Sequence, residues 1–139
     1  MDDVVLNKAA IIERCLRRIR EEYADDPSHL RDDLTRQDSI ILNIQRACEA
    51  SIDLAMHLVR KSALGLPQDS RDAFALLVRA GDLPSAIAEP LARMVGFRNI
   101  AVHDYRSLNL DIVQAIVDKH LDDLAAFAKH AVKRYGATP

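Results

Sequence analysis

Eight consecutive residues, Arg98 to Tyr105 ("RNIAVHDY"), hold an arginine, an asparagine, a histidine, an aspartate and a tyrosine. Side chains of these types can cleave RNA without a metal ion. A histidine titrating near neutrality can take the proton from a ribose 2′-hydroxyl, or return one to the leaving 5′-oxygen. A forked guanidinium stabilises the charge that gathers on the phosphorane. A tyrosine can position a phosphate through its hydroxyl or stack on a base.

Positioning is the difficulty. Arg98 continues the apolar row Leu91, Met94 or Val95, then Ala101 or Val102, so its charge points where a core residue belongs. Such a charge needs a carboxylate, a phosphate or a solvent cleft. His103 follows five residues later, about 140° around a continuous helix. The two converge only if the helix loosens or if a second subunit completes the site. The flanking segment "MVGFRNIAV" is apolar on all sides except at Arg98 and Asn99. That is the pattern of a central helix or of one buried between subunits. A two-fold dimer packed on this helix would bring two Arg/His sets into one groove. Gly96 leaves room for a backbone or ligand to approach. Arg93, Arg98 and Arg106 face a single acid, Asp104, which makes the region locally basic.

The elements that must hold these groups are helical. The chain has 139 residues, 49% apolar and 29% charged, with only four Gly and five Pro. That composition suits one all-α domain spanning residues 1–139. The apolar stripe Val5, Ala9, Ile12, Leu16, Ile19, Tyr23 predicts a helix over residues 3–23. Ile41, Ile44, Cys48, Ile52, Ala55 and Val59 predict a long second helix over about 30–63. A short helix follows over about 70–80, stopped by Gly81. A fourth runs from Pro84 toward Val102 with a kink expected at Pro90, and a fifth covers about 110–135. The expected architecture is an antiparallel bundle of four long helices plus one short helix.

The remaining features bound the function. A net charge of −2 argues against a protein that coats nucleic acid non-specifically, so contact with RNA would need a local basic cleft. Cys15 and Cys48 lie on apolar faces without metal-type spacing and read as reduced core thiols of a cytoplasmic protein. The acidic N-terminus is unlike a signal peptide, and no apolar run approaches the ~18 residues of a membrane span. Asp53 and His57 lie in the polar row Arg46, Glu49, Asp53, His57, Arg60. That row is either a solvated face or the border of the dimer groove, with Asp53 orienting a catalytic side chain. His29, His120 and His130 read as surface histidines. The chain has no H-E-x-x-H, C-x-x-C or glycine-rich phosphate loop, so neither a metal nor a nucleotide cofactor is expected.

Arg98, four residues, His103, one residue, Tyr105 resembles the R-x4-H-x-Y signature of the HEPN superfamily, and "MVGFRNIAVHDY" is similar to its HepT-like branch. The resemblance extends from Val4 to Tyr135. It implies a homodimeric helical bundle with metal-independent endoribonuclease activity at the dimer interface. It further implies Arg98 and His103 as catalytic residues and Asn99 as polar support in the same cleft; Asp53, from the polar row, and Arg106, from the basic cluster, are candidate support on the residue pattern alone. The expected partner is a minimal, MntA-like nucleotidyltransferase antitoxin that adenylylates Tyr105. The alternative is a non-catalytic helical module that binds and regulates such a nucleotidyltransferase.

Overall fold

The computed structural model describes residues 2–136, and among them every regular element is helical. The chain forms α1 (Asp3–Tyr23), α2 (Pro27–Arg31), α3 (Leu34–Lys61), α4 (Ser70–Arg79), α5 (Ser85–His103), α6 (Leu110–Lys119) and α7 (Leu121–Ala131). A single 3₁₀ turn, Tyr105–Ser107, links α5 to α6, and a π turn, Val132–Gly136, follows α7. The core is the expected one. Val5, Ile12 and Ile19 of α1 pack with Ile40, Ile44, Leu54 and Val59 of α3, all with no exposed surface. Phe74 of α4 meets Phe127 of α7 edge-on, with ring centroids 5.6 Å apart.

Two expected helices are each divided. The second splits at Asp32 and Asp33, because the Asp33 carboxylate accepts from the Arg36 amide and caps a new helix. Pro27 occupies the first turn of the short α2, where Asp26 caps it through Ser28. The fifth splits at His120, whose Nδ1 lies 2.9 Å from Asp123. The break at His120 leaves the apolar positions in phase, since Val113, Val117, Leu121, Leu124, Ala128 and Ala131 are all buried, and the break at Asp32 and Asp33 precedes the stripe that begins at Ile41. The bundle therefore keeps its layout while gaining two helices. At Pro90 the helix runs on without interruption. His29, His120 and His130 correct the surface reading: each is half-buried and bonded, to the Tyr23 carbonyl, Asp123 and the Asp82 carbonyl respectively.

Asp2 ties the start of α1 to the end of α3. It caps α1 by accepting from the Val4 and Val5 amides, and its other oxygen lies 2.9 Å from His57 Nε2 and 2.8 Å from Lys61 Nζ. Burial pushes this carboxyl up, but the bonds from Lys61, His57 and the Val5 amide outweigh it and hold it well below the usual carboxylate range. A depressed carboxyl stabilises the fold fully above its unfolded value of about 3.9, and the contribution is lost as pH falls through the folded value. Asp2→Ala should therefore cost about 2 kcal/mol at pH 7. In urea titrations the gap should shrink below about pH 4. A gap constant from neutral pH into acid would show that the carboxylate charge contributes nothing.

Candidate active site

The guanidinium of Arg98 is positioned by three helices. α5 carries it, α4 provides Ser70 and α3 provides Glu49. Nη2 donates to Ser70 Oγ at 3.1 Å, and Nη1 faces Glu49 Oε1 at 3.6 Å. The side chain is only 20% exposed, and its buried Nε has no partner among the described residues. One hydrogen bond and one loose ion pair leave most of the five guanidinium donors uncommitted. An orphaned buried donor is uncommon and costs stability unless something else meets it. Arg98 is thus anchored but not saturated.

α5 remains helical through His103, and the Asp104 backbone N–H closes it with a hydrogen bond donated to the Ile100 carbonyl. Helix continuity places Arg98 and His103 about 140° apart. The loosening that could have brought them together within one chain does not occur. His103 and Arg106 are exposed, as is Asn99. Arg93 pairs with Glu89 at 3.2 Å on the outer face of α5, and Asp104 accepts from Ser107. The stretch read as a buried helix end is therefore open in the single chain. Ile100 and Val102 keep 44% and 45% of their surface exposed. Ile100 joins Met94, Phe97, Leu108, Ile112 and Ile116 in lining a groove of about 340 Å³.

Tyr105 folds back onto α3. Its hydroxyl donates to Asp38 Oδ1 at 2.5 Å across 67 residues of sequence. Burial, donation to Asp38 and that carboxylate's charge, in that order, together push its pKa up to about 12. The phenol is consequently neutral, with a strong proton acceptor already in contact.

Asp38, Glu49 and Ser70 went unseen in the sequence, because each meets the motif only through the tertiary fold. Glu49 stands in the polar row that drew attention to Asp53, one turn away. Asp53 itself pairs with Lys8 of α1 at 3.1 Å, and His57 pairs with Asp2. The carboxylate beside Arg98 is Glu49's. Gly96 does admit a close neighbour, but it is the Arg71 side chain: a Cβ there would lie 3.1 Å from Arg71 Nη2.

Removing the Asp38 charge should lower the Tyr105 pKa part of the way toward the ordinary value of about 10. In Asp38→Asn, ¹³C NMR of labelled tyrosine should show Tyr105 ionising at lower pH, with Tyr23, which bonds Asp118 instead, unmoved. Identical Tyr105 titrations in both proteins would mean the hydroxyl does not rest on Asp38 in solution.

Comparisons with known proteins show the family and the fold. The family model described as "Ribonuclease HepT-like" matches residues 12–131. The chain is 50% identical over 127 residues to the mRNA nuclease HepT of Shewanella oneidensis, an alignment spanning 91% of this chain and 95% of that protein. Its structure is similar to that of a tri-AMPylated Shewanella oneidensis HEPN toxin in complex with MNT antitoxin. That match has a TM-score of 0.88 and 49% identity, and covers 96% of this chain and 98% of the other. A toxin–antitoxin complex with AMP-PNP gives the same TM-score at 48% identity, over 95% and 98% of the two chains. With the family model covering most of its length and a half-identical relative spanning nearly all of it, this chain belongs to the HepT-like ribonuclease family.

Proposed function

We propose that this protein is a metal-independent endoribonuclease toxin that works as a homodimer, with Arg98 and His103 cleaving RNA in a cleft between the two copies. The whole chain, 1–139, acts as one domain in the cytoplasm. The observation that carries this reading is the helical continuity of α5 through His103. A part-buried, unsaturated Arg98 and an exposed His103 on different sides of one helix make an incomplete site, which a two-fold mate can complete. The exposed Ile100 and Val102 and the adjoining apolar groove offer that mate a surface to cover.

In that cleft His103 takes the 2′-hydroxyl proton, and the 2′-oxygen attacks the adjacent phosphorus. The bond to the 5′-oxygen breaks, leaving a 2′,3′-cyclic phosphate and a 5′-hydroxyl that picks up a proton. Arg98 pairs with the phosphorane oxygens, exchanging its loose contact with Glu49 for a fuller charge. Asn99 and Arg106, exposed beside the motif, are placed to contact the substrate strand.

Regulation follows from Tyr105. A nucleotidyltransferase antitoxin moves AMP from ATP onto its hydroxyl: the phenolic oxygen attacks the α-phosphorus, pyrophosphate leaves, and Asp38 stands ready to accept the proton. Support comes from the relatives, one of which is a tri-AMPylated HEPN toxin bound to its MNT antitoxin.

Two experiments test these readings. Arg98→Ala and His103→Ala homodimers should each lose cleavage in EDTA by about 10³-fold or more. Mixed dimers of the two variants should regain up to half of the parent activity, because one of the two composite sites is then intact. No recovery in verified mixed dimers would place arginine and histidine of one site on the same chain. A His103→Ala protein that cleaves like the parent would remove His103 from the catalytic pair, and a parent dimer that cleaves no RNA would move the assignment to a non-catalytic module. For the antitoxin, intact mass after co-expression with the neighbouring nucleotidyltransferase gene should rise by multiples of AMP at Tyr105, with cleavage lost. An unmodified Tyr105 in a silenced complex would put inhibition down to docking alone.

A further inference from the structure

A second basic feature lies outside the motif. The groove between α1 and α3, about 450 Å³, is lined by Arg14, Arg17, Arg18 and Arg46, with Glu21 as its only acid. All four arginines are exposed. Arg18 is ion-paired with Glu21 and Glu22 at 3.3 and 2.9 Å, whereas among the described residues Arg14, Arg17 and Arg46 form no ion pair. In a chain of net charge −2, three unneutralised guanidinium groups around one concave surface are exceptional, since like charges in one groove repel without a counter-ion.

Helix geometry links this groove to the candidate active site. At about 100° per residue, Arg46 lies about 60° around α3 from Glu49 and about 80° from Asp38. Those two carboxylates hold Arg98 and Tyr105. The exposed face of α3 thus has the motif's partners along one edge and the arginine groove along the other. Leu42 sits between them, 41% exposed, and also lines the groove.

We infer that the α1/α3 arginine groove is the track for single-stranded RNA leading to the cleavage site, with Arg14, Arg17 and Arg46 on phosphates and Leu42 beneath a base. The inference rests on the ribonuclease reading for its purpose, but not for its measurement. Charge complementarity chooses the occupant. A polyanion neutralises all three arginines at once, and guanidinium forks suit phosphate oxygens. Phosphate contacts carry no sequence information, so the groove adds affinity and register and leaves base choice to the cleft.

The test measures binding in the His103→Ala protein, where no RNA is consumed. A fluorescein-labelled single-stranded RNA of about 20 nucleotides is titrated at several salt concentrations by anisotropy. Adding Arg14→Gln, Arg17→Gln and Arg46→Gln should weaken binding about tenfold or more, and should reduce the slope of log Kd against log salt by about 2, since each lost single-strand contact removes about 0.7. The matching Arg→Lys triple should keep most of that slope, which separates charge from folding damage. Unchanged affinity and slope in the Gln triple, or no RNA binding by the parent, overturns the inference. Retained RNA binding with loss of the nucleotidyltransferase complex also overturns it, by making the groove a protein dock. If the wild-type protein cleaves no RNA while the triple variant still loses RNA binding, the ribonuclease reading fails and the groove assignment stands.

Discussion

The Arg98 side chain keeps a fifth of its surface in water while carrying a permanent charge, and removing a guanidinium from water is costly unless its donors are met. Three helices share that task. α5 fixes the side chain's origin, the first residue of α4 supplies a hydroxyl, and the middle of α3 supplies a carboxylate. None of these contacts is strong alone. The serine bond is neutral on one side, and 3.6 Å is long for an ion pair whose carboxylate is 42% exposed. A tighter bidentate pair would stabilise the chain further, yet it would also occupy the donors that a phosphate must find free. The weak hold on Arg98 is consistent with a group kept in reserve for an anion.

The same economy of contact explains why the fold was readable and the site only half so. Stripes on α1, α3 and α7 are local patterns, and their period survives in the core residue by residue. Breaks at Asp33 and His120 left no trace in those stripes, because the first precedes the stripe at Ile41 and the helix after the second resumes in phase. Only the capping aspartate at position 33, three residues before the amide it accepts, could have signalled the first. The motif was legible because its five to eight residues are contiguous. Its partners were not, since Asp38 and Glu49 lie on another helix and look like any other acid on a solvated face. Asp53 illustrates the problem: it shares that face with Glu49, and only the placement of Lys8 shows which acid serves α1 and which serves α5.

Net charge argued only against a chain that coats nucleic acid non-specifically, and it left a local basic cleft open. An overall charge of −2 sums over acids that are already engaged: Asp2 with His57 and Lys61, Asp82 with Arg134, Asp111 with Arg31. What a polyanion meets is the local balance within about a Debye length, roughly 10 Å at ordinary ionic strength. On the α1/α3 side that balance is positive. An acidic protein can bind RNA provided its acids are paired or face elsewhere.

Adenylylation of Tyr105, on the proposed reading, acts on this balance at one point. The unmodified hydroxyl is held by Asp38 because it has a proton to donate. Esterification removes the proton and adds a phosphodiester anion where a carboxylate already stands. Two unit charges about 4 Å apart repel by about 4 kcal/mol at an effective dielectric of 20, so the modified side chain is driven off α3. The nearby cations are Arg106, exposed beside it, and the guanidinium of Arg98, held only by its loose pair with Glu49. The off-switch then has the same logic as the catalysis. A phosphate esterified to the protein competes for the arginine that would otherwise meet a phosphate of the substrate, and each further AMP unit adds another anion to the same contest.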